Sequence, residues 1–90
     1  MIFLFAALAL AAQAPPSACP TVLTHEAQAC RATESSKAGR FAEAAAAFEQ
    51  AAELSQQGDP ARDRALAAAG NMWIAAGQPG KAAVALDRAL

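Results

Sequence analysis

Two cysteines and one histidine are the side chains best placed to do chemistry: Cys19, His25 and Cys30. In a chain that meets an oxidising compartment, an isolated even pair of cysteines reads as a disulfide. Closing a loop of that size stabilises by about 3 kcal/mol in the chain-entropy model. The alternative is two unpaired thiols, one of them buried against a helix. As metal ligands, Cys19, His25 and Cys30 are only three and irregularly spaced, short of the tetrahedral sets that hold zinc. His25 has no nearby serine or paired carboxylate suited to catalysis, and a lone histidine at a helix start reads as a solvated or capping residue. Glu43, Glu49 and Glu53 share parts of one helix surface and read as a solvated face. Phosphate loops and haem motifs are missing. Gly77-Gln78-Pro79-Gly80 is a turn, and its proline makes it a poor anion cradle. These residues point to no catalytic centre, no metal and no cofactor.

The elements that position them are helices. Alanine supplies 29 of the 90 residues, while four Phe and one Trp supply the bulk. Alanine is the best helix former but buries little area, so closely packed helices are expected. Strand signals are nearly absent, with no Tyr and few Val, Ile or Thr. The net charge of -1 leaves no basic stripe to neutralise phosphates, which argues against nucleic acid.

No charged side chain occurs from Met1 to Ala14. Ile2 to Ala12 form an apolar run of signal-peptide length, and Ala12-Gln13-Ala14 is an A-x-A cleavage signature. That run is shorter than the ~20 apolar residues that span a bilayer. Residues 1–14 are therefore read as a signal peptide of an exported, periplasmic chain. A mis-assigned start or a partly buried apolar arm is the alternative. Residues 15–24 form a proline-rich linker. Within it, Ser17-Ala18-Cys19 is similar to the end of a bacterial lipobox, and lipid anchoring through Cys19 is the second localisation to weigh.

Four helices follow. Thr24 caps a first helix from about His25 to Ala38, which Gly39 ends. A second runs from about Phe41 to Gln57. Phe41, Ala44, Ala45, Phe48, Ala51, Ala52 and Leu54 recur at helical spacing along it, until Gly58 stops it. Asp59 and Pro60 start a third as N-cap and first helical residue. Leu66, Ala69, Gly70, Trp73 and Ile74 form its apolar stripe. A fourth begins near Lys81, with Ala82, Ala85, Leu86 and Ala89 on one face.

A segment occurs twice in this series. Gly39, Ala44, Phe48 and Ala51 are matched in order by Gly77, Ala82, Leu86 and Ala89, all at the offset that separates Gly39 from Gly77. A fixed period of roughly 20–50 residues signals stacked supersecondary units. Leu66-x2-Ala69-Gly70-x2-Trp73, then Ala82-x3-Leu86, resembles the tetratricopeptide repeat pattern, as does Ala44-x3-Phe48 with Pro60 in the terminal proline place. Ala32 and Ser35 replace the glycine and the aromatic in the first copy. The period is longer than the ~34 residues of that family, and the excess falls near Ser55 to Gly58. About one extra helical turn in the second helix would keep its buried face in register.

The resemblance implies an all-α fold. Two antiparallel helix–turn–helix repeats, about residues 25–58 and 59–90, form a short right-handed α-solenoid, the second repeat truncated. It also implies a non-catalytic module that binds a protein or peptide on the concave surface of the first helices. The groove residues it assigns are Thr33, Lys37, Arg64, Asn71 and Ile74. Ala29 and Ala67 stand where a carboxylate clamp needs lysines. Two repeats bury little, so self-association through the open second repeat is a further expectation. Alternative readings are a plain four-helix bundle and the N-terminal interaction segment of a larger envelope enzyme or assembly factor.

Overall fold

The computed structural model describes residues 18–90. The signal-like run, the expected cleavage after Ala14 and the start of the proline-rich linker lie outside the described residues. Within them the chain is all-helical. The described residues form four helices and no strand: α1 His25–Lys37, α2 Phe41–Glu53, α3 Pro60–Ala75 and α4 Pro79–Ala89.

Local chemistry sets most of these boundaries. The Thr24 side chain accepts a hydrogen bond from the Ala27 amide and opens α1, and Asp59 accepts from Ala61 and opens α3, with Pro60 in the first turn. Each cap satisfies an amide that the helix cannot pair itself. Gly39 and Gly77 follow α1 and α3 with φ of 80° and 75°. A left-handed residue there turns the chain back, and only glycine adopts it without strain.

The two turns match bond for bond at the offset of the sequence repeat. Ala38 N donates to Glu34 O as Ala76 N donates to Met72 O. Gly39 N donates to Ser36 O as Gly77 N donates to Ile74 O, both at 3.0 Å. Arg40 N donates to Ser35 O as Gln78 N donates to Trp73 O, at 2.9 and 2.8 Å. The sequence period is thus also a period of backbone geometry.

The connection between α2 and α3 is built differently. The sequence predicts a second helix to about Gln57, but α2 ends at Glu53 with Leu54 as its C-cap. The excess length of the period forms a loop rather than a helical turn. Ser55 Oγ turns back to the Ala51 carbonyl at 3.0 Å. The Asp59 amide bonds to Gln56 O, and Gly58 takes φ 86°. Leu54 leaves the apolar stripe and is exposed.

Helices adjacent in sequence pack on each other, and α1 makes no comparable contact with α4. The core is almost entirely alanine. One cluster holds Ala45, Ala69, Trp73, Ala82 and Ala85, with Phe48 and Met72 packed against it. A second holds Ala51, Ala52, Ala65 and Leu66. Small side chains let the helices approach, and Gly70 marks the closest approach. A methyl group added there would lie 2.6 Å from Leu86 Cγ. Ile74, placed on the α3 stripe by its spacing, is instead 57% exposed. It lies one residue past Trp73, and a step of one residue turns a helical side chain about 100° off the face.

Candidate functional site

The described end of the linker, residues 18–24, is a leader fixed to α1 by a disulfide and by hydrogen bonds. Cys19 and Cys30 form a disulfide with Cα atoms 5.7 Å apart. The Arg31 guanidinium donates to the carbonyls of Pro20 and Val22. Glu34 accepts the Ala18 amide at 3.1 Å. Cys19 is buried beneath this arrangement. The disulfide is compatible with an oxidising, exported environment.

His25 has partners that its isolation in the sequence hides. Its Nδ1–H donates to the Ala51 carbonyl at 3.0 Å and lies 2.7 Å from Ser55 Oγ. The serine is distant in sequence but adjacent in the fold, because α1 and α2 run alongside each other. Arg62 donates to the neighbouring Ala52 carbonyl at 3.1 Å. The last carbonyls of α2 are therefore satisfied from both sides, by α1 through His25 and by α3 through Arg62. These donors meet the end of the helix where negative partial charge accumulates.

Above this junction α1 and α3 bound a cleft of about 150 Å³. His25 and Ala29 form one wall, Ala61, Arg64 and Ala65 the other, and Phe48 of α2 the floor. A cavity of that size holds a group such as benzene. The lining is apolar except for His25 at one side and the Arg64 guanidinium, and no ion pair engages Arg64 among the described residues. Of the five groove residues assigned from the sequence, Arg64 lines this cleft. Thr33, Lys37, Asn71 and Ile74 are exposed on their helices and do not line it. The Thr33 hydroxyl donates to the Ala29 carbonyl of its own helix. Ala29, which the sequence puts at a clamp position of the concave surface, also lines the cleft, whereas sequence reasoning does not place His25, Phe48, Ala61 or Ala65 there. Phe48 in the Ala44-x3-Phe48 pair is the one available signal.

A second depression lies between α2, α3 and α4 and is lined by Glu49, Trp73, Gly80, Lys81 and Val84. Trp73 Nε1 donates to Glu49 at 3.2 Å, and the Lys81 ammonium sits 4.6 Å from the centre of the Trp73 ring. The indole is thus held by both faces of its chemistry, its N–H by a carboxylate and its π face by a cation. Nearby, Arg88 pairs with Glu53 at 2.5 Å and joins α4 to α2. That hydrogen bond, and then the charge of Arg88, hold the Glu53 carboxyl below the ordinary glutamate range.

Among the described residues no three His, Cys, Asp or Glu side chains gather as a metal site, and no helix is long and apolar enough to cross a membrane. No protein-family model, curated protein or solved structure matches this chain.

Proposed function

We propose that the chain is a tetratricopeptide-like interaction module of the bacterial cell envelope, which binds an extended segment of a protein partner in the α1–α3 cleft. The observation that carries this reading is the turn geometry shared by Ala38-Gly39-Arg40 and Ala76-Gly77-Gln78. A repeated αα-hairpin whose helices pack mainly on their sequence neighbours supports an open solenoid over a closed four-helix bundle, in which α1 would pack on α4. In such an array the first helix of each hairpin lines one surface. Here that surface holds an apolar depression with a cation at its edge.

The cleft selects its occupant by size and charge. One apolar side chain fills the space over Phe48, and an acidic group on the same segment pairs with Arg64. Lys37 and Asn71 extend the polar rim along the same helices, with Thr33 and Ile74 beside them. Export is supported by the disulfide. A Cys19 sulfur bonded to Cys30 is not available for a lipid thioether, which favours a soluble periplasmic form over a lipid-anchored one. Removal of residues 1–14 is checked by intact-mass spectrometry of the periplasmic product. A chain retaining Met1 and confined to the cytosol would contradict export.

Selection from a displayed library of random peptides tests the binding reading. Enriched sequences are expected to share an apolar residue near an acidic one. Arg64→Glu should weaken them about tenfold or more, the loss of about 1.4 kcal/mol, with the melting temperature unchanged. Peptides that bind Arg64→Glu as well as the parent chain would place the partner surface elsewhere.

A further inference from the structure

The leader covers a particular part of α1. Its bonds go to Cys30, Arg31 and Glu34. At the repeat offset these positions become Ala68, Ala69 and Met72 of α3. Ala69 and Met72 belong to the cluster that α3 shares with Ala45 and Phe48 of α2. By the repeat, then, the leader lies on α1 where α2 lies on α3. It takes the place of a preceding helix.

Among the described residues, the opposite edge of the repeat is uncovered. The α2 residues that receive α3 include Ala45, Glu49 and Ala52. Two of them are completely buried and the third accepts the Trp73 N–H. Their counterparts on α4 are Ala83, Asp87 and Leu90, all exposed. The chain therefore carries both halves of one contact, one on α4 and one on α1, and the leader occupies the second. The charges agree as well. Arg31 spends its guanidinium on the leader carbonyls, and Asp87 of α4 has no ion-pair partner among the described residues.

We infer that the disulfide-pinned leader is a removable strap, and that the α1 edge beneath it docks the α4 face of a second copy of this chain. The contact is heterologous, so released chains add head to tail as an open series rather than closing as a dimer. Release is a thiol–disulfide exchange with a dithiol reductant. A thiolate of the dithiol attacks one cysteine sulfur, and the Cys19–Cys30 bond breaks. Its electron pair leaves on the other sulfur, which takes up a proton. The second thiol of the reductant then displaces the protein from the mixed disulfide, leaving two protein thiols and an oxidised dithiol. The inference rests on the repeat and not on a bound peptide, so failure of the cleft to bind peptides leaves it standing.

Sedimentation velocity of the chain purified from an oxidising export host is the test. The oxidised chain should be a monomer. With dithiothreitol, its weight-average mass should rise with concentration while the helical circular-dichroism signal persists. The Cys19→Ser/Cys30→Ser variant should associate without reductant. Asp87→Arg, which sets a cation against Arg31, should return the reduced chain to monomer, and Arg31→Asp combined with Asp87→Arg should restore the series. A reduced chain that stays monomeric, or one that associates equally with Asp87→Arg, would overturn the proposal. So would a reduced chain that loses its helical signal, since the leader would then be part of the fold rather than a strap on it.

Discussion

Gly70 shows how one residue sets the spacing of two helices. A methyl at this position stabilises the helix by about 1 kcal/mol through propensity. It also meets Leu86 at 2.6 Å, and such overpacking costs about 1–3 kcal/mol. The clash outweighs the gain, and Gly70→Ala should destabilise by about 1 kcal/mol. In a Leu86→Ala background the clash is gone, and the same substitution should stabilise. Chemical melts of the double-mutant cycle read both signs, and an additive cycle would mean the two positions do not touch. Trp73 is 7% exposed and bonded at its N–H and its face. Trp73→Ala should cost about 3–5 kcal/mol. Its place in the sequence pattern predicts an equal cost for Phe48. Phe48 is only half-buried at the floor of the cleft, so Phe48→Ala should cost about 1–2 kcal/mol, in proportion to the apolar area it hides.

Glu53 adds a pH dependence at the same scale. Its carboxyl is depressed by Arg88, so the pair stabilises the fold above the ordinary glutamate range. That contribution is lost as pH falls through the lower, folded-state value. Acidification below that range should lower the melting temperature less steeply in Glu53→Gln than in the parent chain. Equal slopes would show that the bridge does not couple to folding, as exposed pairs often do not.

At the scale of the elements, boundaries were legible wherever a cap or a left-handed glycine carries them. Thr24, Gly39, the Asp59-Pro60 pair and Gly77 each mark a helix end in the sequence, and each does so in the structure. The end of α2 was not legible. Ser55, Gln56 and Gln57 do not break a helix by propensity. Tertiary bonds end it instead, with Ser55 and His25 meeting at the Ala51 carbonyl and Arg62 at Ala52. A side chain from another helix leaves no trace in a local pattern. The same holds for the cleft, where Arg64 was found from its outward position but His25, Ala61 and Ala65 depend on how α1 and α3 sit together. The repeat makes its own prediction here. Gly39→Ala and Gly77→Ala should each cost about 1 kcal/mol, since both turns demand positive φ and share one bonding pattern. Denaturant midpoints shifted by clearly different amounts would contradict the equivalence of the two turns.

Across the whole molecule, the described residues form two alanine-cored hairpins with a cleft between α1 and α3. Small side chains give close helix contacts but little buried area, so the four helices lean on side-chain staples: the Trp73 clasp and the donors around the end of α2. Binding in the α1–α3 cleft is decided by chemical-shift mapping of the 15N-labelled chain with a library-selected peptide. The largest amide perturbations should fall on Ala29, Phe48, Ala61, Arg64 and Ala65, with smaller ones toward Lys37 and Asn71. Perturbations centred instead on Trp73, Lys81 and Val84, or the absence of any saturable shift, would rule the cleft out as the binding surface.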